Sequence, residues 1–438
     1  MRGISAIAVI AAVAAGWAAA EAIETPRDAQ WNVLDFGAAG DGETDDTAAF
    51  QEAMDAAWAA GGGVVWAPTG EYLFEGSLDM PREVTLRGVY HYAPAHAGIR
   101  DGSDELPEYG TVFLVRGGRG QDESGTPFIT LNNNSTLQGV CVYYPDQDPE
   151  GPEPVPYPYA VAMRGNNPAL IDVELLNPYN GVDARRNQRA LVRNVHGQPI
   201  HIGLIADAIY DIGRIENVHW NPWWSLGTPL YEWQEQNGTA FIFGRSDWHY
   251  VHNTFAFGYH VGYHFIATDT GATNGNFLGI GADRCHTAVL VEASFPYGLL
   301  ITNGKFVSFE GEEPVMVRVT DEHEGVVRFV NCSFWGPADR IAIIDGEGTV
   351  AFGDCNFHMW GRHDEPKEAI LARGGSVMVR GSEFHQDLPQ ITLEEGVTRA
   401  IITENFLRGE ERIVNNAAGN VIIANNVTDI VEDAGGEE

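Results

Sequence analysis

Between residues 245 and 292 the chain gathers the side-chain types that acid–base chemistry on a sugar requires. Asp247, Asp269 and Glu292 fall near the ends of successive apolar strands, with Arg245, His249 and His264 among them. Aligning those strands on Phe241, Tyr263, Val289 and Val315 brings Asp247, Asp269 and Asp321 to matching ends, with Asp207 near the same column. Glu292 and Arg318 then stand one above the other on the outward row. Two carboxyls about 5 Å apart suit retaining glycoside hydrolysis, and a pair about 6.5 to 9.5 Å apart suits inversion. The expectation is that Asp247 with Asp269 or Glu292 supplies the acid and the base. His249 and His264 would hold hydroxyls and Arg245 would tune a carboxylate. The competing reading is structural, because Asp at a strand end commonly makes a turn.

A long aromatic insertion over 219–235 supports a sugar-binding cleft. Trp220, Trp223, Trp224 and Trp233 offer flat apolar faces for sugar rings, Glu232 and Glu235 reach toward the same place, and Trp248 and Tyr259 follow. Aromatics of this size bury large areas, so they can equally staple the insertion to its scaffold. The histidines, His249, His252, His260 and His264, lie on strands rather than at helical i, i+4 spacing, so no metal is expected from them. The four cysteines make no C-x-x-C pattern. No cofactor is expected, with calcium entering only if the enzyme is a lyase.

What must position these residues is a repeat. A short apolar strand ending near Asn, Asp or Gly recurs as Leu137-Gln-Gly-Val-Cys-Val, Leu170-Ile-Asp-Val-Glu-Leu, Leu191-Val-Arg-Asn-Val-His and Ile212-Gly-Arg-Ile-Glu-Asn-Val. It returns as Phe329-Val-Asn-Cys-Ser-Phe, Phe352-Gly-Asp-Cys-Asn-Phe, Val379-Arg-Gly-Ser-Glu-Phe, Ile402-Thr-Glu-Asn-Phe and Ile423-Ala-Asn-Asn-Val. A second strand set alternates with the first, as at 240–245, 261–267, 288–293 and 314–319. A period of just over twenty residues is one coil of a solenoid, which buries its apolar row only by stacking on its neighbours. The fold expected is all-β, a single-stranded right-handed parallel β-helix of roughly twelve coils. Cys332 and Cys355 occupy equivalent places in consecutive coils, as buried thiols or as a bonded pair.

Residues 44–60 read as an N-terminal capping α-helix, with Thr44, Asp45 and Asp46 as cap types and an apolar stripe of Phe50, Ala53, Met54, Ala57 and Trp58. Such a helix would cover the exposed edge of the stack. Ahead of it, Arg2 and the apolar run to Ala20 read as an export signal over 1–22. The expected organisation is signal 1–22, entrance and cap 23–62, β-helix 63–432 with insertions at 90–126, 145–158 and 219–238, and an acidic tail at 433–438. The net charge of −35 argues against nucleic acid and anionic membranes as partners. The expected location is therefore outside the cytoplasm, extracellular or periplasmic, with no membrane attachment after signal removal.

The stretch from Val33-Leu-Asp-Phe-Gly-Ala-Ala-Gly-Asp-Gly-Glu-Thr-Asp-Asp through Gly61-Gly-Gly-Val-Val-Trp-Ala-Pro to Val84-Thr-Leu-Arg-Gly closely resembles the entrance of the pectate-lyase and polygalacturonase-like superfamily, related to glycosyl hydrolase family 28. The resemblance covers 32–88 and implies a right-handed parallel β-helix and an extracellular glycosidase or polysaccharide lyase. The Gly-His-Gly and Arg-Ile-Lys signatures and catalytic aspartate set of the polygalacturonases are absent from the later coils. Asp41, Asp45 and Asp46 read as capping groups rather than catalysts. The function expected is cleavage of glycosidic bonds in a polysaccharide or oligosaccharide, first by hydrolysis. The alternatives are β-elimination from a uronate glycan, with or without calcium, and a non-catalytic carbohydrate-binding or adhesin-like solenoid, for which a homotrimer is one assembly.

Overall fold

The computed structural model describes residues 30–96, 109–309, 311–362 and 367–429. The segments assigned above to the signal, 1–22, and to the tail, 433–438, lie outside them.

Parallel strands stack into a β-helix of about 15 turns, three more than the repeat alone suggested. At the strand spacing of about 4.8 Å that is a rod on the order of 70 Å long. The undercount came from the first coils, where strands such as Val84–Arg87 and Thr136–Gln138 are short and 49 residues apart, so no fixed period marks them. Each full coil contributes strands to three sheets. The first runs through Ala169, Leu191, Arg214, Tyr250 and Asn276; the second through Glu174, His196 and His219; the third through Val182, Leu204, Phe241, Tyr263, Val289 and Val317. Val317, not Val315, is thus the partner of Val289, and Arg318 lies level with Leu290 rather than Glu292.

The bend between the first and second sheets explains the recurring Asn or Asp. Asp172, Asn194, Asn217, Asn253, Asn303, Asn331, Asp354 and Asn425 all take positive φ, between 50° and 58°. Short polar side chains tolerate this left-handed conformation best after glycine. They also bond from coil to coil, Asn194 Nδ2 donating to Asp172 Oδ1 at 2.8 Å and Asn217 Nδ2 to Asn194 Oδ1 at 2.9 Å. Because the bend repeats in register, the residue two places after it always faces outward on the second sheet.

Inside, like stacks on like: Phe241 on Tyr263 with centroids 5.0 Å apart, and Phe329 on Phe352 at 5.1 Å. Cys141, Cys285, Cys332 and Cys355 are buried and unbonded. At the N-terminal end the helix Thr47–Ala59 buries Phe50, Ala53, Met54 and Ala57, with Phe50 edge-on to Tyr72, Phe74 and Phe113. Trp58, assigned to the same stripe, is 48% exposed. It sits one position beyond the arc that meets the coil. The entrance aspartates are spent on their own backbone. Asp46 accepts from the amides of Ala39 and Gly40, Asp45 from that of Thr47, and Asp41 from those of Glu43 and Thr44.

Candidate functional site

The aromatic insertion and the carboxylate column, assigned above to one cleft, lie at opposite edges of the third sheet. The insertion leaves the second sheet after Trp220 and enters the third at Thr239. The carboxylates sit where the third sheet hands the chain to the first. A third-sheet strand of five residues, such as Val261–Phe265, separates the two corners by about 17 Å.

At the acidic corner most of the charge is already paired. Asp247 Oδ1 meets Arg245 Nη2 at 2.6 Å, and its other oxygen accepts from the Asp211 amide at 2.9 Å. Arg245 lies over the Tyr210 ring, 4.6 Å from its centroid. Asp207 accepts from the Arg245 amide and from the Thr268 and Thr270 hydroxyls. Glu292 Oε1 lies 3.0 Å from His264 Nε2, though without hydrogen-bond alignment. Asp269 is exposed at the tip of a small hairpin between Ala267–Thr268 and Gly271–Ala272. Among the described residues it bonds to neither Asp247 nor Glu292. Trp248 stands exposed beside Asp247.

Three assigned residues are inside the coil, beyond the reach of a substrate. His249 is fully buried edge-on to Phe243, and burial lowers its pKa to about 4. Trp220 is fully buried, stacked on Phe241. Tyr259 is buried with its hydroxyl donating to the Pro199 carbonyl at 2.6 Å. Strand alternation turns His249 and Trp220 inward, and Tyr259 is buried in the corner between the strands Phe255–Phe257 and Val261–Phe265, none of which residue type alone reveals.

The remaining tryptophans diverge. A chain of buried amides holds the insertion to the coil. Gln198 Nε2 donates to Ser225 Oγ at 2.5 Å and to Gln234 Oε1 at 2.9 Å, and Gln234 Nε2 donates to the Gly258 carbonyl at 2.9 Å. The helix Pro229–Asn237 follows, its Thr228 cap accepting from the Tyr231 amide. From this base Trp233 turns toward Tyr179 and His201, with Glu232 exposed beside it, and Glu235 pairs with Arg284 at 2.6 Å. Trp223 and Trp224 turn over the second sheet.

There they wall a groove whose floor the sequence reading missed. Cys141, Glu174, His196, His219 and Phe255 stand in register on successive rungs. Each lies two places after a bend residue, respectively Gly139, Asp172, Asn194, Asn217 and Asn253. The His196 and His219 rings are 5.9 Å apart; Tyr92 approaches His196 at 5.3 Å and Trp223 approaches His219 at 5.3 Å. Trp224 packs with Tyr90 and Tyr143 over Cys141 and Leu176. Tyr92 is half exposed, its hydroxyl accepting from Asn217 Nδ2 at 3.1 Å. Burial, and then the neighbouring His196, lowers the His219 pKa to about 4; burial also lowers that of His196. The groove is narrow, with about 10 Å³ of free volume between His196, His219, Trp223 and Trp224, and burial lowers the pKa of both imidazoles that line it.

The fold is a right-handed parallel β-helix, and the entrance is similar to that of pectate-lyase-like proteins. A family model described as rhamnogalacturonase A/epimerase, pectate lyase-like, matches residues 30–98. The chain is 41% identical over 113 residues to mannuronan C5-epimerase AlgE2 of Azotobacter vinelandii, a match covering 24% of this chain and 11% of that protein. It is 62% identical over 47 residues to alginate lyase 7 of the same organism, covering 11% and 6% respectively. The chain thus spans about a tenth or less of the length of these relatives. The N-terminal fragment of bacteriophage phi29 gene product 12 shares the fold, with a TM-score of 0.56, 12% identity, and coverage of 91% of this chain and 72% of that one. Among the described residues no helix is long and apolar enough to cross a membrane.

Proposed function

We propose that this chain modifies a uronic-acid polysaccharide in the groove formed by His196, His219, Tyr92 and Trp223, by removing the proton from the carbon that bears the carboxylate. The observation that carries this reading is His219, an imidazole kept neutral by burial and set beside a tryptophan face. An imidazole that abstracts a proton must be unprotonated at the working pH, and it must lie within reach of a bound ring. Trp223 and Trp224 supply the apolar surface on which a pyranose stacks. In this mechanism His219 takes the C5 proton and the electron pair moves into the carboxyl group. Return of a proton to the opposite face inverts C5, whereas expulsion of the 4-linked sugar leaves an unsaturated residue. Tyr92, beside His196, is the hydroxyl best placed to return the proton. The relatives named as mannuronan C5-epimerases and as an alginate lyase support this class of substrate, with epimerisation the closer of the two outcomes. Action outside the cytoplasm rests on the signal-like residues 1–22.

Hydrolysis is the second reading, favoured by the half-exposed Glu292 facing His264. Incubating the purified chain with polymannuronate and a panel of plant and algal glycans in D2O separates these outcomes. Deuterium at C5 without shortening marks epimerisation, unsaturated ends absorbing in the ultraviolet mark elimination, and saturated reducing ends mark hydrolysis. Binding with none of these would leave an adhesin-like solenoid and overturn the proposal.

A further inference from the structure

Next to the groove, a second cluster is unaccounted for by any proton-transfer role. Cys141 and Glu174 occupy adjacent rungs of the second sheet, and both are buried. His96 arrives from the segment that follows Gly88, its amide donating to Glu174 Oε1 at 2.9 Å and its Nδ1 touching Glu174 Oε2. One donor atom from each of the three residues lies within 4.8 Å of the other two.

The hydrogen bonds around His96 fix which ring nitrogen faces Tyr90 and which faces Glu174. The Tyr90 hydroxyl donates to the Tyr109 carbonyl at 2.6 Å, so its proton is already committed. His96 Nε2, 3.3 Å from that same oxygen, must therefore be the donor of its pair. Nδ1 is thereby turned toward a Glu174 carboxylate oxygen, on the side where the Cys141 sulfur also lies. Glu174 is buried, and among the described residues its one ion-pair partner is His96, with no Arg or Lys beside it.

We infer that His96 Nδ1, Cys141 Sγ and Glu174 form a site for a borderline divalent metal ion of the zinc type. Nitrogen, thiolate and carboxylate donors together match zinc, whereas calcium and magnesium take oxygen alone. The Tyr90 contact supplies the outer-shell hydrogen bond that orients a ligating histidine. Three protein donors leave a fourth position for water. Binding requires the Cys141 thiol to release its proton, with the metal taking its place as the sulfur's partner. The site would fasten the segment 90–96 across the second sheet, and so hold Tyr92 against His196. It stands apart from the polysaccharide reading and holds whichever reaction the groove performs.

The test is titration of the chelator-stripped full chain with Co2+ and with Zn2+. The expected result is one equivalent bound, with a thiolate-to-cobalt charge-transfer band in the near ultraviolet. C141S abolishes the band, and the double variant C332S/C355S, which removes the other close pair of thiols, keeps it. E174Q and H96A weaken binding about tenfold or more. If C141S folds poorly, thermal unfolding decides, since zinc then raises the Tm of the wild type and raises that of E174Q by distinctly less at the same concentration. No stoichiometric uptake by the wild type, or a band that persists in folded C141S, overturns the site and leaves His96 and Glu174 a simple ion pair.

Discussion

The two edges of the third sheet carry opposite kinds of polar chemistry. At the acidic edge Asp207 and Asp247 are occupied by an arginine, backbone amides or hydroxyls, and Glu292 faces His264. Beyond the other edge, on the second sheet, burial lowers the pKa values of His196 and His219, which lie between aromatic rings. In a chain of net charge −35 a column of carboxylates is an expected by-product of composition, and pairing is how the fold absorbs it. Imidazoles kept neutral by burial beside an aromatic cleft are not explained by composition, and perturbed groups of this kind mark functional sites more often than paired ones do.

The comparison breaks most sharply at His219. H219A should lower turnover on polyuronate by about 10²- to 10⁴-fold, the usual contribution of a general base. Far-UV circular dichroism should be unchanged, and turnover at the wild-type rate would remove the groove from the mechanism. W223A should act next, raising KM about tenfold with a smaller change in kcat, consistent with loss of an aromatic contact. Equal losses in both constants would instead mean that Trp223 positions His219.

The pH profile sharpens the same contrast. Because the His219 pKa lies near 4 rather than 6.5, the acidic limb of kcat/KM should fall near pH 4. An acidic limb near 6.5 would mean that the ring is solvated. His219, His249 and His323 bind protons more readily unfolded than folded, since burial lowers each folded pKa to about 4. The unfolded chain therefore holds more protons between pH 6.5 and 4, and the Tm should fall as pH drops through that window. Replacing His249 with Phe should shallow that slope in thermal scans.

The smallest effect belongs to the acidic edge. D247N removes one exposed ion pair with Arg245, worth about 0 to 1 kcal/mol, and should leave polyuronate turnover within about twofold. Abolished turnover would move the chemistry to Asp247 and favour hydrolysis.

Much of this fold was legible in the residues themselves. Positive φ is cheap for Asn, Asp and Gly, so the bend shows in the sequence as Asn194, Asn217, Asn303 and Asn331, and the coil follows from its recurrence. The capping helix and the structural use of Asp41, Asp45 and Asp46 were equally plain, because both depend on local bonds. The groove was half legible. His196 already ended one of the repeating strands, Glu174 stood one place before the end of another and His219 directly followed a third, so counting two places beyond each bend residue would have aligned them with Cys141.

Tertiary structure alone decided which edge of the coil each insertion reaches. Residue type placed Trp220, Trp223 and Trp233 together, yet one is core, one faces the second sheet and one turns toward the third. That outcome depends on the direction in which a loop leaves its strand and on the Gln198–Ser225–Gln234 bonds that hold it, contacts between residues 27 and 36 positions apart. Pairings across such separations are set by the packed coil, and no local preference of the chain encodes them.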